Sequence, residues 1–217
     1  MVILGLTGSI GMGKSTAAAM LRRMGIPVCD SDALVHGLYA RGGAAVAAIE
    51  AAFPGVAADG AVDRQALGAR VFGEPQALGV LESILHPRVH AAQAQWLRRC
   101  CARGEAVVVL DVPLLFEVGT DARCDATIVL TCPRFLQEQR VLARPGMTRE
   151  RLAGILARQI PDGEKRRRAD FVVQTGLGRG YTLQRLHTIV TLMRRRRGRK
   201  WPPAPGDVWA EPPPAAA

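Results

Sequence analysis

The sequence predicts a three-layer α/β fold, with a parallel sheet of about five strands covered by helices on both sides. Short apolar runs at residues 2–7, 26–29, 106–112, 126–132 and 171–173 suit buried strands and are too short for helices. Longer stretches with helical periodicity separate them, and that alternation favours parallel pairing. The length supports this size of core: 217 residues, 48% hydrophobic and 22% charged, exclude wholesale disorder.

Taken in order, Val2–Thr7 reads as the first buried strand. A glycine-studded loop runs to Gly13, and the helical run Lys14–Met24 after it meets Gly25, a natural terminator. Ile26–Cys29 is the second strand and delivers Asp30-Ser31-Asp32 at its carboxyl end. Residues 33–104 read as helices broken at Gly42-Gly43, Pro54-Gly55, Asp59-Gly60 and Gly73-Glu74-Pro75. Pro87 fits the first position of the longest, with Val89, Ala92, Trp96, Leu97 and Cys100 as its apolar stripe. Ala106–Val112 and Ala126–Cys132 are β-branched strands, and Phe171–Val173 is a short fifth. A last helix, about Tyr181–Arg195, turns Leu183, Leu186, Ile189, Val190 and Met193 inward. From Trp201 onward the proline-rich composition predicts a disordered tail, 201–217, outside a single domain of residues 1–200.

Composition removes several classes of function. No apolar run approaches the roughly 18 residues of a membrane-spanning helix, and the amino terminus has no basic leader. Five cysteines without a Cys-x-x-Cys pair argue against a disulfide framework or a zinc site, which points to a reducing cytoplasm. A net charge of +10 suits a polyanionic ligand, either nucleic acid or a nucleotide triphosphate.

One motif separates those two. Gly8-Ser9-Ile10-Gly11-Met12-Gly13-Lys14-Ser15, followed by Thr16, matches the P-loop pattern between a predicted strand and a predicted helix. Its glycines let Gly8, Gly11, Met12 and Gly13 turn backbone N–H groups toward phosphate oxygens. Lys14 supplies a point charge, the Ser15 hydroxyl suits Mg²⁺, and the helix start reinforces the anion site. Guanine-selective switches read their base with Asn-Lys-x-Asp, and this chain contains no asparagine. Helicase and motor ATPases need longer chains, so a small phosphotransferase using ATP and Mg²⁺ remains.

Asp30 and Asp32 leave the second strand near the phosphate loop, where one carboxylate could accept a proton from an attacking hydroxyl. Both are equally good helix N-caps, so either could cap while the other does chemistry. Asp111 ends a Val-Val-Val-Leu strand, the place of a carboxylate near Mg²⁺, and is also a plausible turn residue before Pro113. His86-Pro87 reads first as a cap. The segment Arg134–Arg168 holds ten basic residues, most of them suited to a solvated face. Arg140 and Arg144, four apart on one helical face, are the pair suited to closing over a triphosphate.

These residues resemble the dephospho-coenzyme A kinase family. Leu6–Thr16 is similar to its opening and Gly25–Asp32 to its Gly-x-x-hydrophobic-Asp-Ala-Asp step. Ile84-Leu85-His86-Pro87 and Asp111-Val112-Pro113-Leu114-Leu115-Phe116-Glu117 resemble two further signatures. Gln139-Arg140, Arg144, Gln159 and Ala169-Asp170 resemble its lid and closing strand, so the likeness spans about residues 1–193. It implies ATP-dependent phosphorylation of the ribose 3′-hydroxyl of dephospho-CoA. It also implies a nucleotide core (1–32, 104–135, 169–195), a helical acceptor lobe (33–103) and a lid (136–168). By carry-over Asp32 is the base and Arg140 the lid arginine on ATP, beside Lys14 and Arg144 from the motif and the spacing above, with Ser15 and Asp111 as the metal ligands those readings offer. Asp30, Asp32, His86, Pro113, Leu114, Leu115 and Glu117 lie along the acceptor.

Two positions depart from the family pattern: Ser31 stands for the usual Ala, and Gln174-Thr175 stands where an Asn is usual. The expected partner is the small-molecule acceptor, bound by a monomer or weak homo-oligomer without membrane. The alternatives are a nucleoside or nucleotide kinase on the same core, and a nucleic-acid-binding ATPase using Arg194–Lys200. Aromatics at 5% offer few stacking platforms for the latter.

Overall fold

The structure is a computed structural model and describes residues 1–203. The described chain divides into two compact units, Met1–Cys29 with Cys100–Pro202, and a second built on Asp30–Arg99. Most of the predicted tail, 204–217, lies outside the described residues.

The first unit carries the main sheet. Its strands are β1 (Val2–Thr7), β2 (Val28–Asp30), β5 (Val107–Asp111), β6 (Ala126–Thr131) and β7 (Phe171–Gln174), in the order β2-β5-β1-β6-β7. β1 pairs in parallel with β5 and β6, and β6 in parallel with β7. Every residue of β1, β5 and β6 is buried, which explains why their apolar runs show no alternation. β1 stands at the centre because the chain crosses to β2, returns through β5, then passes to the other side. Helices α1 (Lys14–Arg23) and α9 (Arg179–Arg194) pack on each other, and Leu4, Leu6, Leu21, Leu186 and Ile189 close one core. Gly25, at φ +74°, ends α1 as expected. Three further helices complete this unit, α6 (Arg134–Leu142), α7 (Arg149–Ala157) and α8 (Asp162–Arg168).

The second unit holds α2 (Ser31–Tyr39), α3 (Val46–Ala52), α4 (Arg64–Val71) and most of α5 (Pro75–Ala102). Its own core gathers Leu38, Ile49, Phe53, Val56, Leu67 and Leu81. A two-stranded hairpin, β3 (Ala57–Ala58) with β4 (Ala61–Val62), sits where sequence suggested only a break between helices. Asp59 and Gly60 both take positive φ, 51° and 76°, the turn that an Asp-Gly pair favours.

Three expectations need correction. Pro75, not Pro87, opens the longest helix, and Pro87 lies inside it. The ring removes one helical N–H, and Arg88 bridges the disturbed turn by donating to the carbonyls of Ile84 (2.7 Å) and Ala44 (3.0 Å). Leu183 is 42% exposed, because the buried stripe runs through Thr182, Leu186, Ile189 and Met193 and Thr182 takes the inward position in the first turns. Trp201, assigned by composition to the tail, is buried.

Candidate active site

β1, β5, β6 and β7 direct their carboxyl ends the same way, and the register sets Leu6 beside Asp111 and Thr131 beside Gln174. The chain leaving β1 therefore turns over the switch point of the sheet, where open α/β sheets bind ligands. Two glycines make the loop possible. A Cβ on Gly8 would lie 2.9 Å from the Leu130 carbonyl oxygen. Gly11 has φ +80°, and a Cβ there would lie 2.6 Å from Val141 Cγ2.

Gly13 caps α1 without any side-chain hydrogen bond, so the first-turn N–H groups are left for an anion. Ser15 and Thr16 are exposed on that turn. Lys14 Nζ lies 2.7 Å from Asp111 Oδ1, on a carboxylate that is almost fully buried. That pair joins the lysine at the end of the loop to the carboxyl end of β5.

Other side chains hold the loop's shape. Gln137 donates to the Ile10 carbonyl (2.8 Å), and Ile10 N–H donates to Gln159 Oε1 (3.2 Å). Cys132 N–H donates to Met12 Sδ (3.1 Å), and burial pushes the Cys132 thiol pKa up, with Arg140 and Thr175 opposing the shift. Arg140, in the last turn of α6, donates through Nη1 to Thr175 Oγ1 (3.0 Å) and Gly11 O (3.4 Å). Its Nη2 donates to the Thr175 carbonyl (3.0 Å). Arg144 does not share its helical face: α6 stops at Leu142, and Arg144 is exposed beyond the cap. A cavity of about 810 Å³ opens beside the loop, lined by Ser9, Met12, Thr131, Arg134, Asp162 and Arg166 among others.

The Pro113–Glu117 segment divides. Pro113 is half-buried and its carbonyl accepts from Thr7 Oγ1 (2.9 Å), while Leu114 is exposed. Leu115, expected along the acceptor, is fully buried, since the turn folds it into the core. Glu117 accepts from Ile160 N–H (2.9 Å) and pairs with Lys165 Nζ (2.8 Å). Lys165 belongs by sequence to the solvated basic cluster, yet it is fully buried. No local signal marks it, because Arg166, Arg167 and Arg168 beside it are exposed.

In the second unit the two carboxylates take different roles. Asp30 is the N-cap of α2, its Oδ1 accepting from Ala33 N–H (3.1 Å). Asp32 stands in the first turn, exposed, and its carboxylate has no hydrogen-bond partner among the described residues. The two do not leave a strand together, because the helix begins at Ser31. Ser31 itself is buried and accepts from Gln93 Nε2 (3.0 Å), which accounts for a hydroxyl where alanine is usual. His86 is exposed within α5, its ring stacked on His90 at 6.2 Å.

Ser15 and Asp111 offer only hard oxygen donors, which suits Mg²⁺, an ion that takes one or two protein oxygens beside phosphates and water. Among the described residues no group of three or more His, Cys, Asp or Glu side chains forms a separate metal cluster. Nor is any described helix long and apolar enough to cross a membrane.

Fold and loop together define a P-loop kinase. Residues 2–178 match the family model described as dephospho-CoA kinase. The dephospho-CoA kinase of Paramagnetospirillum magneticum is 61% identical over 99% of both chains, and that of Rhodospirillum rubrum 57% identical over 92% of this chain and 95% of its own. A crystal structure from Thermus thermophilus, 38% identical, superposes with a TM-score of 0.75 over 88% of this chain and 96% of its own. The dephospho-CoA kinase from Campylobacter jejuni, 21% identical, shares the fold at a TM-score of 0.61 over 88% of this chain and 96% of its own. The chain belongs to the dephospho-CoA kinase family.

Proposed function

We propose that this chain transfers the γ-phosphoryl group of ATP to the ribose 3′-hydroxyl of dephospho-CoA, giving coenzyme A and ADP. One observation carries the reaction class: the P-loop lysine Lys14 lies 2.7 Å from the strand-end carboxylate of Asp111, beside an uncapped helix start. The acceptor follows from family membership along nearly the whole chain.

In this reading the amides of Gly8, Gly11, Met12 and Gly13 hold the β-phosphate, with Thr16 behind them on the same turn. Lys14 bridges the outer phosphates and offsets charge on the departing β-phosphate oxygen. Mg²⁺, held by Ser15 and Asp111, would supply further charge neutralisation at the phosphates when bound. Arg140, bonded to the loop at Gly11, acts on the nucleotide from α6, and the family likeness assigns Arg144 beside it. Asp32 takes the proton from the 3′-hydroxyl as its oxygen bonds to the γ-phosphorus and the bond to the β-phosphate oxygen breaks. That Asp32 does not cap α2 supports this, because Asp30 already serves the helix. The family likeness of their motifs assigns acceptor contacts to Asp30, His86, Pro113 and Leu114, and Leu115 and Glu117 fix the turn that carries Pro113 and Leu114. Five free cysteines suit a cytoplasmic setting, and we read the enzyme as a monomer or weak homo-oligomer.

ATP consumption against a panel of hydroxyl acceptors tests the proposal. Dephospho-CoA should be turned over far faster than nucleoside monophosphates or simple alcohols. Equal turnover of a nucleoside monophosphate would overturn the assignment of the acceptor.

A further inference from the structure

Thr175 follows β7, in the stretch where the chain departs from its family's pattern. It is buried, and its side chain lies where three parts of the nucleotide core meet. Oγ1 lies 2.9 Å from the Met12 carbonyl and 3.3 Å from the Thr131 carbonyl, and it accepts from Arg140 Nη1 at 3.0 Å. A hydroxyl has one proton, so it donates to the nearer carbonyl, that of Met12.

The consequence lies on the far side of one peptide plane. The Met12–Gly13 peptide is trans, so its carbonyl and its N–H point in opposite directions. Holding the Met12 oxygen toward Thr175 turns the Gly13 N–H away from Thr175, into the phosphate loop. Met12 N–H is already donated within the loop to Ser9 O (3.1 Å), whereas Gly13 N–H has no partner among the described residues. The same hydroxyl, with the Thr175 carbonyl, clamps both Nη atoms of Arg140. That fork leaves the Nε–H and one Nη2 hydrogen for a ligand.

We infer that Thr175 is a positioning residue for the nucleotide phosphates, acting through the Gly13 amide and through Arg140. The inference rests on the reading of the loop as the ATP site. Because a loop peptide with its carbonyl released can rotate, the loss should fall on nucleotide affinity, and the acceptor should be little affected.

Thr175→Val keeps the shape of the side chain and removes the hydroxyl. It should raise the Kd for ATP and for ADP about tenfold, the effect of one charge-assisted hydrogen bond. KM for dephospho-CoA should stay within about twofold, and Thr175→Ser should recover most of the ATP affinity. Thr175→Ala gives the same comparison if the valine protein does not fold. Folded valine or alanine proteins that bind ATP as the parent does, even with a lowered Tm, would overturn the inference and leave the ATP site standing. A parent chain that binds no ATP would instead overturn the reading of the site, and the inference with it.

Discussion

At Asp30 and Asp32, two identical side chains one residue apart are separated by where a helix starts. Asp30 bonds the Ala33 N–H, so Asp32 is spared from capping. Asp32→Asn should therefore lower kcat by roughly 10²–10⁴, the range for losing a general base. Its stability cost should stay below about 1 kcal/mol, the worth of one charge near a helix start. A folded Asp32→Asn enzyme with unchanged kcat would return the base role to Asp30 or to water. Lys165 and Glu117 pose a different case, a buried pair 2.8 Å apart. Lys165→Ala leaves the Glu117 charge uncompensated and should cost about 3–5 kcal/mol in thermal unfolding. Pairing Lys165→Met with Glu117→Gln should recover much of that, since neither charge then remains buried. A double variant as unstable as Lys165→Ala would assign the loss to packing.

Among the elements, the α3–β3 corner hangs on one carboxylate. Glu50 accepts the N–H groups of Gly55 and Ala57, each at 2.7 Å, and these bonds hold its pKa below the ordinary carboxylate value. A carboxyl with a depressed folded pKa stabilises the fold above its unfolded pKa, and that stabilisation is lost as pH falls through the folded value. Tm of the parent and of Glu50→Gln, followed from about pH 7 to about pH 3, should differ at neutral pH and converge in acid. Two parallel curves would show that Glu50 carries no linked proton. The loop after β1 depends on other elements in the same way. Gln137 on α6 and Gln159 after α7 bond opposite ends of the Ile10 residue, so those helices shape the loop from outside its motif.

For the molecule as a whole, a strap of residues 198–201 is tied to the start of β1. Asp125 Oδ2 accepts from Ile3 N–H (2.7 Å), and Oδ1 accepts from the N–H groups of Arg199 and Lys200. Gly198 lies so close to the Met1 carbonyl that any side chain there would collide with it. Trp201 is 7% exposed, so the strap is anchored by apolar burial as well. Ending the chain at residue 198 should lower stability by about 3 kcal/mol relative to a chain ended at 203, the scale of one buried tryptophan. Equal melting of the two would mean that the strap adds nothing. The excess of arginine from Arg194 to Arg197 is exposed, so the strap is held by its backbone and by Trp201 and not by that charge.

The sequence by itself determined the strands of the main sheet, the phosphate loop and Asp111 at the end of its strand. Each is written in a short run of neighbours, whose apolar character, glycine spacing or terminal carboxylate suffices. Asp59-Gly60 also carried a local turn signal, but strands two residues long leave no apolar pattern to accompany it. Only the tertiary structure decided the rest. Thr175 reads as an ordinary loop threonine until Met12, Thr131 and Arg140 arrive from distant parts of the chain. Lys165 reads as one more surface cation until Glu117 meets it from a distant part of the chain. Trp201 reads as the start of a proline-rich tail until Asp125 holds the backbone just before it. Burial and hydrogen-bond partners are properties of packing, and packing joins residues that no local pattern connects.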